Sequence, residues 1–412
     1  MSQEDIDKKR TERIAKMCAT INNGDFGGEN KDAVIVLGSR DSISIERWSS
    51  GDKELDWALG GGWPKGRFIE LYGPESGGKT TLLLHAIAGH QRIYPDEDVA
   101  LIDTEFAFDE EYAAALGVQT RWLIVHQPES GEQALNVLRQ LIQLGVGCVG
   151  VDSVAALTTR AEVDGALGDD QVAAQARLMS KSLKVLTQEA GKRRATVFWT
   201  NQIRDLINVS YGDKTTTPAG HALKHYASIR VGIKRISSQK ETIEGVEQFV
   251  ANLVRCDVKK NKTAPPFRKA EFYISYGHGI DPAVSVFDSA VTRKVILQKG
   301  SWFSFEGNNL AAGRGKCIVL LQENKELLDR ISAALDAKDK KSPVEEGKAE
   351  PEEGAESANS VMFGKKGPRK AGSFKKPRGK EEALPAEDDA IEVTPTPVEA
   401  VPANEGVAVH DV

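Results

Sequence analysis

The chain has no cysteine pair at C-x-x-C spacing. Its four cysteines, Cys18, Cys148, Cys256 and Cys317, lie far apart, with no histidine at a spacing that suggests zinc. That excludes a disulfide framework or a zinc module as the organising device, and the thiols read as reduced. No apolar run approaches a membrane span, and the opening Met1-Ser-Gln-Glu-Asp-Ile-Asp-Lys-Lys-Arg10 lacks a signal peptide's apolar core. A soluble, cytoplasmic protein without a membrane partner is expected. Positive charge is not in excess either. Lys and Arg number 54 against 60 Asp and Glu, a formal net charge of −6. Any nucleic-acid partner therefore has to be held by a local basic surface rather than by the field of the whole chain. With 412 residues, 40% hydrophobic and 28% charged, the chain can form one large α/β core and one or two smaller units.

What is present is a phosphate-binding loop. Gly73, Pro74, Glu75, Ser76, Gly77, Gly78, Lys79, Thr80 and Thr81 run in that order and fit G-x-x-x-x-G-K-[ST]. Glycines let the backbone fold tightly, so that its N–H groups point at phosphate oxygens. Lys79 is expected to reach the β- and γ-phosphates, and the Thr80 hydroxyl to ligate Mg²⁺. The context suits the motif. Arg67-Phe-Ile-Glu-Leu-Tyr72 reads as a strand and Thr81-Leu-Leu-Leu-His-Ala-Ile-Ala88 as a helix, whose N-terminus adds partial positive charge at the phosphates. A bound nucleoside triphosphate is expected.

Around this loop the chain divides into four stretches. Residues 1–40 hold an amphipathic helix with Ile6, Ile14, Met17, Cys18 and Ile21 on one narrow face, a Gly/Asn-rich break, and a β-like run at 33–37. That unit packs either on its own molecule or on a neighbour. Residues 41–277 alternate strands and helices as a parallel α/β core does. Strands are expected at 99–102, 123–125, 147–152 and 196–202, with a capping box at Ser130-Gly-Glu-Gln133 opening the helix after the second. Two irregular segments interrupt the core, 160–171 and 203–220; such segments inside a compact domain are functional or disordered. Residues 278–340 form a small mixed unit with a helix from Asn324 to Ala337. The tail, 341–412, is rich in Glu, Pro, Lys, Gly and Ala and is expected to be disordered. Residues 365–380 contain no acid and residues 381–412 no Lys or Arg, which is either a solvated charge run or tethered electrostatic control.

In an open parallel sheet, ligands collect at the carboxyl ends of the strands. Here those ends carry Glu105, Asp152, Ser153 and Gln202. Asp152 is the expected Mg²⁺ carboxylate, direct or through water. Glu105 suits the orientation and polarisation of an attacking water, or else caps the next helix. Gln202 can bond a γ-phosphate oxygen and report its loss to the segment that follows, which is a switch layout.

These runs together resemble the RecA family of bacterial and phage recombinases over roughly residues 10–335. The resemblance is carried by Ala58-Leu-Gly60, the phosphate loop, Val151-Asp-Ser-Val-Ala-Ala-Leu157, Asn201-Gln-Ile-Arg204, Ala222-Leu-Lys224, and Lys260-Asn-Lys262 with Pro266-Phe267. It implies a RecA-like α/β ATPase core with a mostly parallel twisted sheet. It also implies a DNA-dependent ATPase, with ATP and Mg²⁺, that forms helical filaments of itself on single-stranded DNA. Such a filament pairs and exchanges that strand with a homologous duplex. Single-strand-binding and mediator proteins would be further partners. By the resemblance, Tyr112 stacks on adenine and Asp109 meets its amino group, whereas the residues alone make Tyr112 a helix-surface aromatic. Lys260 and Lys262 would reach a neighbour's γ-phosphate; by sequence alone their run is a solvated turn or a backbone-phosphate contact. The two irregular segments match two DNA-binding loops. Arg177, Ser180, Arg204 and Gly220 match their DNA-contacting positions, and Val172 and Ile207 the apolar wedges between bases.

Several positions depart from the family's pattern. Gly77 stands where serine is common and Lys184 where arginine is usual, which keeps charge but loses the planar fork. His225 replaces an aromatic at the interface that couples ATP state to filament geometry, so weaker or pH-sensitive coupling is expected, and Pro218 and Ala219 sit in the second loop where flexible residues are more usual. These changes and the tail suggest a divergent bacterial or a phage-encoded member, and no repressor-cleavage role is expected. The alternatives are a related hexameric helicase-type motor and a regulatory module in which ATP only sets conformation.

Overall fold

The computed structural model describes residues 3–23, 45–165, 174–205, 215–218, 221–243 and 246–341. The expected strand at 33–37, the positions Val172, Ile207, Ala219 and Gly220, and the tail from 342 onward lie outside the described residues. The amphipathic N-terminal stretch forms α1 (Gln3–Asn23). A short ladder of β1 (Arg47–Trp48) and β2 (Trp63–Pro64) brackets α2 (Lys53–Leu59). Asp52 starts α2 by accepting a bond from Leu55 N at 2.9 Å. Gly60 ends it at φ 85°, where a Cβ would also strike Ala264.

The core then alternates. It runs through β3 (Phe68–Gly73), α3 (Lys79–Ile93), β4 (Val99–Asp103), α4 (Glu110–Ala115), β5 (Leu123–His126), α5 (Gly131–Leu144), β6 (Cys148–Asp152), α6 (Arg160–Asp164), α7 (Ala174–Arg193) and β7 (Thr196–Gln202). After two-residue β8 (Arg204–Asp205) and β9 (Thr215–Thr216) come α8 (Ala222–Tyr226), β10 (Ile229–Ile243), β11 (Val246–Asn261) and β12 (Lys269–Ser275). One eight-stranded sheet results, in the order β12-β11-β10-β3-β7-β6-β4-β5. It is parallel from β10 through to β5 and antiparallel where β11 and β12 join. Helices cover both faces, which is why β4 and β7 read as near-continuous apolar runs rather than as alternation. One face buries Leu83, Ile87, Leu101, Phe198 and Ile229. The other buries Phe68, Leu135, Leu138, Leu183 and Trp199. Edge-to-face packing of Trp63 on Phe198, with centroids 5.2 Å apart, ties the β1–β2 ladder into the first of these.

Beyond β12 stands a small unit of α9 (Pro282–Thr292), β13 (Leu297–Lys299), β14 (Trp302–Phe305), β15 (Asn308–Ala312), α10 (Arg314–Glu323) and α11 (Lys325–Lys341). Its antiparallel sheet and helices enclose their own core of Phe287, Phe303, Phe305, Leu321 and Ile331. Polar contacts fasten it to α2. Arg293 pairs with Glu54 at 2.7 Å, Lys53 with Asp336 at 2.7 Å, and Ser285 Oγ donates to Asp52 Oδ2 at 2.6 Å.

Two local expectations need correction. At α5 only half of the capping box forms: Ser130 accepts from Gln133 N at 3.3 Å, but the Gln133 side chain accepts from Glu129 N rather than Ser130 N. A complete box stands at Thr159 and Glu162, opening the five-residue α6 in a segment read as lacking a strand or a long helix, which it does lack over its described part. The second irregular segment, by contrast, is not strand-free, since Arg204 and Asp205 pair with Thr216 and Thr215.

Asp52 gives a stability test. Burial pushes its carboxyl up to about 7, against the pull of its bonds from Ser285 and Leu55. An acid whose folded pKa lies above its unfolded value binds more protons when folded, so stability falls as pH rises from about 4 to about 7. Between pH 5 and 7 the wild-type loss is about 2 kcal/mol. Asp52→Asn keeps an acceptor for Leu55 N and supplies a donor to Ser285. Its thermal stability relative to wild type should rise across that interval; parallel melting curves at both pH values would contradict the assignment.

Candidate active site

The carboxyl ends of β3, β4, β6 and β7 come together at one edge of the sheet. They frame a cleft of about 700 Å³ lined by Glu75 through Thr81, Glu105, Tyr112, Asp152 and Gln202. Gly73 and Pro74, expected at the phosphates, are not among the lining residues; the chain leaves β3 at Gly73, where the backbone of β10 passes so close that a Cβ would sit 2.0 Å from Ile233 O. Only glycine fits there. Gly78, at φ 93°, turns the loop into α3 and provides no side-chain cap. The first N–H groups of a fifteen-residue helix thus face the cleft, the arrangement that suits an anion.

The polar side chains are interlocked. Lys79 Nζ donates to Pro74 O at 2.7 Å and Gly73 O at 3.2 Å, so it lies along the loop it is expected to serve. Burial pushes its pKa below the usual lysine range, while the Asp152, Glu105 and Glu75 carboxylates oppose the shift. Thr80 Oγ1 donates to Asp152 Oδ2 at 2.7 Å, and Thr200 Oγ1 holds the other oxygen. Burial raises the Asp152 pKa, and the two hydroxyls pull it back. Glu105 accepts from Ser153 Oγ at 2.5 Å. It caps no helix: Asp109 caps α4, accepting from Tyr112 N at 2.9 Å. Gln202 closes β7 opposite Gly73. The Tyr112 hydroxyl meets Thr81 Oγ1 at 2.8 Å, which brings its ring to the cleft, whereas Asp109 is not among the lining residues.

Lys260 and Lys262 do not line this cleft. Lys260 Nζ donates instead to the carbonyls of Lys224 and His225, at 2.7 and 2.9 Å, and Lys262 is exposed. Arg177 and Ser180 are exposed on α7, and Lys184 follows on the same helical face. Gln175 anchors the start of that helix to the turn after β6 through the carbonyls of Val154 and Leu157, at 2.9 and 3.0 Å. Arg204 lies in the β8–β9 pair directly after Gln202 and Ile203.

Sequence reasoning missed seven cleft residues: Arg235, Asn252, Val254, Ile274, Ser275, Tyr276 and Gly277. They sit in no motif and arrive through the antiparallel β10–β11–β12 ladder, whose pairing no local pattern announces. Asn252 Oδ1 accepts from Tyr276 Oη at 2.9 Å and Ser238 Oγ at 2.8 Å. That fixes the amide with its nitrogen as the remaining donor. Asp103 was missed as well. It is buried, and its oxygens accept from Glu105 N, Phe108 N and Gln127 Nε2 at 3.2, 3.1 and 3.0 Å, which sets the turn that carries Glu105.

Comparison with known proteins bears on the same residues. The family model of the RecA N-terminal domain matches residues 14–281, and that of the RecA C-terminal domain residues 284–339. The chain is 47% identical to Protein RecA of Nostoc punctiforme over 302 residues, 73% of this chain and 82% of that protein. It is 46% identical to Protein RecA of a Synechococcus strain over 302 residues, covering 73% and 79% of the two chains. Against Protein RecA of Prochlorococcus marinus strain MIT 9515 the identity is 42% over 338 residues, 82% and 89% of the two chains. With its β-sheet core, its small C-terminal unit and its phosphate loop all inside the matched span, the chain belongs to the RecA family.

Proposed function

We propose that this chain is a DNA-dependent ATPase that forms helical filaments on single-stranded DNA and catalyses homologous pairing and strand exchange. The observation that carries the reading is the split of the expected catalytic groups. Lys79, Thr80, Glu105, Asp152 and Gln202 share one cleft, while Lys260 and Lys262 lie outside it. A site lacking those two cations in its own subunit is completed by a neighbour's, so hydrolysis follows assembly. Membership of the RecA family weighs against the helicase-type motor.

The fit to Mg²⁺ rests on the donors: Thr80 Oγ1 and Asp152 Oδ2 form a pair of hard oxygens beside the loop. Thr80 and Asp152 would hold the ion, which would supply charge neutralisation at the triphosphate. The helix N-terminus and Lys79 bind and orient the triphosphate. Glu105, held by Ser153, accepts a proton from the attacking water as its oxygen bonds to the γ-phosphorus and ADP leaves. Gln202 bonds the γ-phosphate, and its loss is passed to Ile203 and Arg204. Tyr112 and Tyr276, both lining the cleft, flank the base, with Asn252 donating beside it. Phosphates and base faces are common to every sequence, so contact through Arg177, Ser180, Arg204 and Gly220, with wedges at Val172 and Ile207, suits sequence-independent binding. The strand at the sheet's edge, β5, exposes Ile124 and Val125 beside Trp122, an apolar edge suited to the N-terminal unit of the next subunit.

Single-strand-binding and mediator proteins are proposed as further partners and the bacterial cytoplasm as the location. Among the described residues no helix is long and apolar enough to cross a membrane. The relatives named above are bacterial, and a phage origin finds no support in them.

Lys79→Ala should lower DNA-stimulated ATP hydrolysis by roughly 100-fold or more; normal turnover by the folded variant would remove the site assignment. Glu105→Gln should slow hydrolysis by about 10²–10⁴-fold and leave ATP-dependent binding to single-stranded DNA intact. Loss of that binding in a filter assay would show that Glu105 acts in assembly instead. Tyr276→Ala should raise KM for ATP about tenfold and change kcat less, and an unchanged KM would move the base elsewhere.

A further inference from the structure

Glu70, on β3, is fully buried, and nothing in the hydrolysis chemistry uses it. A carboxylate in that position is strongly unfavourable unless it is paired, and apolar side chains would fill the same space without that penalty. Its partners are specific. Arg230 Nε on β10 donates to one oxygen, and Asn201 Nδ2 on β7 donates to the other at 3.2 Å. The Arg230 guanidinium also lies over the Tyr72 ring, 4.6 Å from its centroid.

The register of the sheet extends this pair in both directions. Arg230 stands opposite Glu70 on one side and opposite Lys260 on the other, so the three side chains form one cross-strand row. At the far end of the row, Lys260 Nζ reaches the carbonyls that end α8, where a cation is favoured. At the near end, Asn201 directly precedes Gln202, which lines the cleft. The charged groups facing Lys260 are Lys262 after β11, Arg230 on β10 and Glu70 on β3. Burial, then Lys262, then Arg230 push the Lys260 pKa below the lysine range, and among the described residues Glu70 opposes them.

We infer that Glu70 and Arg230 are positioning residues for Lys260: the buried pair sets the place and the charge balance of the cation that this subunit presents to its neighbour. Through Asn201 the same pair ties that cation to the strand ending at Gln202. The inference rests on the reading of Lys260 as a group supplied to an adjacent subunit's nucleotide. Lys260 acts as a cation, so hydrolysis is lost as pH rises through its pKa, and the alkaline limb of the pH profile reports its surroundings.

The experiment compares that limb for DNA-stimulated hydrolysis by the full chain and two variants, each checked for cooperative melting. Glu70→Gln keeps the shape and removes the one anion; the limb should move down by roughly one pH unit. Glu70→Gln combined with Arg230→Gln leaves no buried charge unpaired and removes a cation that weighs on Lys260 more than Glu70 does, so the limb should move up. The double variant carries the test if the single one does not fold. General destabilisation cannot shift the two in opposite directions. Limbs that stay in place in the folded variants, or a wild-type profile with no alkaline limb, would overturn the inference. A Lys260→Ala variant separates the two levels. If it hydrolyses ATP normally on DNA, the reading of Lys260 itself fails. If it is inactive while the limbs stay put, only the role of Glu70 and Arg230 fails.

Discussion

The carboxylate of Asp152 is held on both oxygens by hydroxyls, one from the first turn of α3 and one from β7. Three separate elements converge on that group, and a parallel sheet is what lets them. Parallel strands end together, so β3, β6 and β7 deliver the phosphate loop, Asp152 and Gln202 to one edge. The next strand out, β4, delivers Asp103 and then Glu105. Moving any of these strands by one register position would turn its terminal polar group to the opposite face. Burial of the apolar strand bodies thereby fixes the polar constellation at their ends.

Motif and strand-end reasoning made the parallel half of this arrangement legible, because its information is local. A glycine loop between an apolar strand and a helix, and carboxylates closing apolar runs, each sit in one stretch of chain. Glu105 was readable for that reason, although its support from Asp103 and Ser153 was not. The antiparallel half was opaque. Asn252 and Tyr276 enter the cleft only because β11 and β12 pair, and no periodicity in either strand points at a nucleotide. Capping went astray similarly. Ser130 and Gln133 matched the pattern, but the glutamine side chain satisfied Glu129 N, a choice set by backbone geometry rather than by residue type.

The cleft and the cations also differ in what they ask of assembly. Lys79 is internal to its loop, as its bonds to Gly73 and Pro74 show. Lys260 is braced on the carbonyls after the second irregular segment. On the proposed reading, DNA held by that segment acts on Lys260 and the nucleotide acts on Gln202, at the segment's other end. His225 sits where these meet: its carbonyl receives Lys260, so its backbone already takes part in the brace.

If each ATPase site is shared between two subunits, as proposed, a mixture of two dead variants regains activity. Lys79→Ala lacks the group inside the cleft and Lys260→Ala lacks the one presented to the neighbour. Equal mixtures on single-stranded DNA should regain activity, up to roughly a quarter of wild type if subunits assort at random and one boundary in four is complete. Two variants that are each inactive and stay inactive in every mixture, while still forming mixed filaments, would place both groups in the same subunit's site.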